Sequence, residues 1–156
     1  MIIRKMEEKD LEAASAICMD SFLQSVASTL SDEGITTFSN IAARDAFLDR
    51  MRGDNLMLVA ENNENVEGVI ELKEGRHVAM LFIRPESQKS GIGRKLLISA
   101  LNHAKVETVT VSASLSSVAA YENYGFELSG EVAESAGLVY QPMKLKLNKA
   151  MHATSA

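Results

Sequence analysis

Between Val78 and Ala104 the chain changes its hydrophobic period across a loop that carries two glycines. Val78–Ile83 is an apolar run of strand length. A short polar turn follows, and Gln88-x-x-Gly91-x-Gly93 then opens a segment with apolar residues at Ile92, Leu96, Leu97, Ala100, Leu101 and Ala104, the spacing of an amphipathic helix. A strand, a glycine-bearing loop and a helix start bring several backbone N–H groups and the positive end of a helix dipole to one point. Such a point suits phosphate or pyrophosphate. Gly91 and Gly93 have no Cβ, so a ligand can approach that backbone closely.

Two familiar phosphate loops do not fit. A P-loop needs Lys-Ser/Thr after its last glycine, whereas Gly93 is followed by Arg94-Lys95-Leu96 and no hydroxyl is placed for a magnesium ion. A dinucleotide fingerprint needs a third glycine where Leu96 stands. On these residues alone, a loop that merely turns the chain into a helix stays open as the alternative.

The chain has 156 residues, 46% of them hydrophobic and 24% charged, which fits one globular domain with a substantial core. A net charge of −5 argues against a general nucleic-acid binder, which would carry a basic stripe. It is compatible with an amine substrate. The single cysteine, Cys18, excludes an internal disulfide and fits a reducing, cytoplasmic compartment. Met1-Ile2-Ile3 runs straight into Arg4-Lys5 and does not read as a signal peptide, and no apolar stretch reaches membrane-spanning length. His77, His103 and His152 show no paired spacing with each other or with Cys18, so no metal site is expected.

The patterning predicts a strand at 2–6, a helix from 9 to about 27, and one or two helices over 31–51 interrupted near Gly34. Strands follow at 56–60, 66–73 and 77–83, and then the helix over 91–104. A strand at 108–113, a short helix at 116–124 ending on Gly125, and strands at 126–132 and 139–147 complete the chain. Residues 148–156 read as a frayed tail. The expectation is an α/β (α+β) single domain over residues 1–147, with one mixed, mostly antiparallel central sheet flanked by helices.

Two stretches carry a family resemblance. Leu81-x-Ile83-x-Pro85 followed by Gln88-x-x-Gly91-x-Gly93 is similar to the pyrophosphate-binding motif of the GNAT superfamily of acetyl-coenzyme A-dependent N-acetyltransferases. Tyr121-Glu122-Asn123-Tyr124-Gly125-Phe126 resembles that family's Tyr-x-x-x-Gly-Phe. Their order and spacing, with the 106–113 strand between them, match as well, and a weaker likeness extends from Ile2 to Leu147.

The resemblance implies an acetyl-coenzyme A-dependent N-acetyltransferase fold and activity, with acetyl-CoA as cosubstrate and no metal. It implies that the backbone of Gln88, Lys89, Ser90, Gly91, Ile92 and Gly93 holds the pyrophosphate, with Arg94 and Lys95 adding positive charge. The pantetheine arm is implied to run beside Leu81 and Ile83, with the oxyanion donor a backbone N–H near Phe82 or Ile83. Seven residues before its motif tyrosine the family often has Asn; here Ser114, with a shorter reach, takes that coenzyme-contacting place. Tyr121 is implied to protonate the departing thiolate, and Tyr124 reads as core or surface. For the general base, His77 stands six residues before Ile83, where some members carry a carboxylate. Glu71, out of phase with Ile70 and Leu72, is the alternative. The acceptor site is implied to lie under residues 22–47, which hold Phe22, Phe38 and Phe47.

A small-molecule amine is the leading acceptor. A protein or peptide amine, and a non-catalytic coenzyme A-binding sensor, are the alternatives. No nucleic-acid or membrane partner is expected, and the oligomeric state stays open, a homodimer included.

Overall fold

The computed structural model describes residues 1–26 and 30–147; the expected tail at 148–156 and the far end of the first predicted helix lie outside them. The element order is β1 (Ile2–Lys5), α1 (Leu11–Ser25), α2 (Asp32–Ile41), α3 (Arg44–Met51), β2 (Asn55–Asn62), β3 (Asn65–Lys73), β4 (His77–Ile83), α4 (Ile92–Leu101), β5 (Thr108–Ala113), α5 (Val118–Asn123), β6 (Glu127–Leu128), β7 (Ala133–Ser135) and β8 (Leu138–Lys146).

The strands form one sheet in the order β1-β2-β3-β4-β5-β8-β6, with β7 paired to β8. Every pair is antiparallel except β4–β5, which α4 joins as a crossover. Strand alternation sends Leu58, Ile70, Leu72, Val78 and Val109 to the face covered by α4, against Leu96, Leu97 and Ala100. The intervening Met57, Val59, Val69 and Met80 face the other way, against Leu11, Ile17, Cys18 and Phe22 of α1 and against Phe38 and Phe47. Leu96 and Ile70 are fully buried, and truncating such a residue to Ala costs about 2–5 kcal/mol.

The chain between α1 and β2 departs from the sequence expectation. It holds two helices, but the break falls at Ala42-Ala43 and Gly34 lies inside α2. Gly34 is buried, and a Cβ there would collide with the carbonyl of Gly137 in the β7–β8 turn. Close approach of two backbones, rather than helix breaking, explains the glycine. Thr37 Oγ1 donates to the Ala136 carbonyl at 2.7 Å in the same contact. The strand expected over 126–132 is shorter, Glu127–Leu128, and a separate β7 follows.

Two features of β4 open the sheet. Its parallel pairing with β5 covers only His77 and Val78, so the two strands splay apart beyond that point. The β3–β4 register also slips: Glu71 pairs with Met80 but Leu72 pairs with Val78, which leaves Ala79 as a bulge. The amide of Arg84 donates to its partner Glu67 at 2.7 Å. Antiparallel alternation from that pair sends the backbone groups of Phe82 and Met80 to β3, and turns those of Leu81 and Ile83 to the free edge.

No described helix is long and apolar enough to cross a membrane.

Candidate active site

The splay between β4 and β5 forms a cleft of about 1050 Å³. One wall is the free edge of β4. The β4–α4 loop closes one end, α5 forms the second wall, and α1, α2 and the β7–β8 region surround the other end. Of the residues expected at the site, Leu81, Phe82, Ile83, Gln88, Lys89, Gly91, Ile92, Gly93, Arg94, Ser114 and Tyr121 all line this cleft.

The loop owes its shape to left-handed backbone. Lys89 has φ 67° and Gly91 has φ 86°. Gly91 is the N-cap of α4 and supplies no side-chain cap. The amide of Lys95 is the first to find an intrahelical acceptor, the Gly91 carbonyl at 3.2 Å, so the amides of Ile92, Gly93 and Arg94 begin the helix without one. A Cβ on Gly91 would meet no atom within 4 Å, which leaves the approach to these amides open. The amides, the helix dipole and the Lys89 and Arg94 side chains on the cleft form an electropositive end whose chemistry suits an anion.

Side chains brace the loop. Gln88 Nε2 donates to the Ile83 carbonyl at 3.2 Å, and Ser21 Oγ of α1 donates to the same carbonyl at 2.8 Å. Ser90 Oγ donates to the carbonyl of Ser87, and Ser90 does not line the cleft. Arg94 Nη2 donates to the Asn123 carbonyl at 2.9 Å while its guanidinium lies 5.5 Å from the centre of the Tyr124 ring. Arg94 thus ties α4 to α5. Lys95 is exposed and does not line the cleft.

Tyr121 is 6% exposed, set edge-on against Phe126 at 5.3 Å and Tyr124 at 5.9 Å. Its hydroxyl makes no hydrogen bond to another described side chain, and it is not among the wholly enclosed polar atoms. Burial pushes its pKa well above the ordinary phenol value, so it keeps its proton across the neutral range. Ser114 Oγ lies 2.8 Å from Ser117 Oγ at the end of β5, and both serines line the cleft. Tyr124 lines it too. Its position three residues after Tyr121, on the same helix face, was the available sequence signal.

Neither expected base reaches the cleft. Glu71 is 1% exposed on the sheet face under α1 and α3, where Arg50 Nε lies 3.0 Å from both carboxylate oxygens. Burial, partly offset by Arg50, raises its pKa. His77 sits where β4 and β5 are still paired, with Nδ1 2.8 Å from Thr110 Oγ1. Burial first, and then the charges of Arg76 and Lys73, lower its pKa and keep the ring neutral. Phe82 lines the cleft with its side chain, but its backbone belongs to the β3 ladder.

Among the described residues no group of three His, Cys, Asp or Glu side chains could hold a metal ion. Cys18 is buried with Sγ 3.6 Å from Met80 Sδ, and burial pushes its thiol pKa up.

The family model for the acetyltransferase (GNAT) domain matches residues 26–147. A GCN5-related N-acetyltransferase from Rhodopseudomonas palustris is similar in fold, with a TM-score of 0.80 at 22% identity over 94% of this chain and 95% of that one. The PaiA N-acetyltransferase of Thermoplasma acidophilum, solved in complex with coenzyme A, gives 0.75 at 21% identity over 93% and 98%. A ribosomal-protein-alanine N-acetyltransferase from Brucella melitensis gives 0.68 at 27% identity over 94% and 100%. No curated protein sequence matches.

Proposed function

This chain belongs to the GNAT acetyltransferase family, and we propose that it transfers the acetyl group of acetyl-coenzyme A to a primary amine of a small molecule. The observation that carries the proposal is the free edge of β4. Beyond the Ala79 bulge the backbone of Leu81 and Ile83 faces the cleft, beside the uncapped start of α4 and across from Tyr121. Bound there, acetyl-coenzyme A would supply the thioester.

The amides of Ile92, Gly93 and Arg94 hold the pyrophosphate, and Lys89 and Arg94 balance its charge. The Leu81 and Ile83 edge supports the pantetheine arm as an added strand would. The Ile83 carbonyl already accepts from Ser21 and Gln88, so the β4 amides are the groups available to a substrate carbonyl. A preorganised N–H of that kind lowers the barrier by about 3 kcal/mol. As the amine nitrogen bonds to the acetyl carbon, the C–S bond breaks and Tyr121 gives its proton to the sulfur. The nitrogen then sheds one proton, which water relays to the Tyr121 oxygen and so restores the hydroxyl; Glu71 and His77 lie outside the cleft and take no part.

A small acceptor is supported by the clasp between α2 and the β7–β8 turn. Both line the cleft, and they meet through Thr37 and Ala136 and through Gly34 and Gly137. An extended peptide would have to part them.

The test is free-thiol release from acetyl-coenzyme A with a panel of small amines and short peptides. Turnover of small amines with peptides inert is the expected result. Peptides alone being acetylated, or no turnover by a protein that binds the coenzyme, would refute the proposal.

A further inference from the structure

The acceptor end of the cleft is built from apolar side chains. Phe22 of α1 and Phe38 of α2 stack with ring centres 4.1 Å apart and planes within 5°. Phe82 meets Phe38 edge-on at 5.4 Å. Ile41, Leu138 and Val139 extend the same surface. Two of the hydroxyls nearby are already engaged, Ser21 donating to the Ile83 carbonyl and Thr37 to the Ala136 carbonyl, while Ser25, Ser135 and Tyr140 also line the cleft and bring no charge to it at neutral pH.

The titratable side chains on the cleft are Lys89, Arg94, Tyr121, Tyr124 and Tyr140. Among the described lining residues there is no carboxylate and no imidazole. Two consequences follow. A second ammonium group on the acceptor would lose its hydration here without gaining a counter-charge. An ammonium at the reacting nitrogen would likewise have no partner to hold it or to take its proton.

We infer, on the basis of the transferase reading above, that the acceptor is an apolar monoamine with a body the size of a phenylalkyl group, and that it enters the cleft uncharged. The chain's acidic balance of −5 therefore does not describe this site, where the ionised side chains among the described lining residues are basic and stand at the coenzyme end. The nitrogen of the neutral amine needs no proton removed before attack. The one it sheds afterwards replaces the proton that Tyr121 gives to the sulfur, so the hydroxyl is restored.

The experiment compares 2-phenylethylamine, benzylamine, spermidine and an aminoglycoside as acceptors, by thiol release at saturating acetyl-coenzyme A. Calorimetry with acetyl-coenzyme A accompanies it. The expected result is a kcat/KM for the phenyl amines about 10²-fold above those for the two polycations. With each phenyl amine, kcat/KM should rise with pH along that amine's own ionisation, so the midpoint moves when the acceptor is changed. In Phe38→Leu, which keeps an apolar side chain, KM for 2-phenylethylamine should rise about 10-fold while coenzyme affinity stays unchanged. Polycations used as well as phenyl amines, or a midpoint fixed whatever the acceptor, would overturn this inference and leave the transferase reading standing. Failure to bind acetyl-coenzyme A would overturn both.

Discussion

The Tyr124 hydroxyl occupies the space into which a side chain on Gly93 would grow: a Cβ there would lie 2.5 Å from that oxygen and 3.6 Å from the ring carbon bearing it. Glycine at 93 is therefore set by the packing of α4 against α5, whereas glycine at 91 is set by a left-handed backbone with open space beyond it.

The first prediction separates these two roles. Gly93→Ala should be destabilising by about 1–3 kcal/mol, because a packed neighbour must move. Tyr124→Phe deletes the offending oxygen and leaves an ordinary contact distance. Gly93→Ala combined with Tyr124→Phe should recover most of the loss, a coupling that a double-mutant cycle of urea midpoints measures directly. Strictly additive effects would show that Gly93 is held by something else.

Tyr121→Phe keeps the ring against Phe126 and removes only the hydroxyl. General acid roles are worth about 10²–10⁴-fold, and kcat should fall into that range with coenzyme affinity unchanged. Single-turnover rates of acetyl transfer check it. Wild-type rates in the variant would assign the proton to water.

Glu71 and Arg50 form an ion pair across α3 and β3, and the Arg50 guanidinium also donates to the Ile41 carbonyl at 2.9 Å. Removing one partner strands a buried charge, so Glu71→Ala should cost about 3–5 kcal/mol of stability. Glu71→Met with Arg50→Met should cost markedly less. Below the melting transition, Glu71→Ala should keep near-normal kcat and the wild-type pH profile. A lost alkaline or acidic limb would return a catalytic role to this carboxylate.

His77 carries a stability signature with a definite sign. Its folded pKa lies below the ordinary value of about 6.5. As pH falls through that ordinary value, the unfolded chain binds a proton that the folded chain refuses. Stability from this group is therefore fully present above about pH 6.5 and declines as pH drops toward the folded pKa. His77→Gln should flatten the urea midpoint between about pH 5 and 7, while the pH dependence of kcat/KM stays with the acceptor. An altered kinetic limb in His77→Gln would contradict the placement of this ring outside the cleft.

Local signals made much of this legible. The bounds of β4 and β5 follow from apolar run and alternation, and Gly125, with φ 104°, sits just past Tyr124, the last residue of α5's cap. That the β4–α4 loop and Tyr121 line one cleft was readable because motif and geometry coincide within a few residues. What stayed hidden depends on contacts between distant parts of the chain. Gly34 looks like a helix breaker until Gly137, far along the chain, is brought against it. Glu71 looks like an available base until Arg50 arrives from another helix. Phe22 and Phe38 read as core rather than as cleft lining, because a ring that lines a cleft is covered on most sides, as Phe38 at 8% exposure is.

The single extra residue at Ala79 divides β4 into two tools. Up to Val78 the outward-facing backbone of the strand is spent on β5; after it, the same seven-residue element offers its edge to a guest. Without Ala79, Glu71–Met80 and Leu72–Val78 would follow one another as a regular antiparallel ladder, and Leu81 and Ile83 would still turn away from β3. What the bulge adds is local bend and twist, at the point where β4 parts from β5. Deleting Ala79 should therefore let the two strands pair further and narrow the cleft, with the β3–β4 register unchanged.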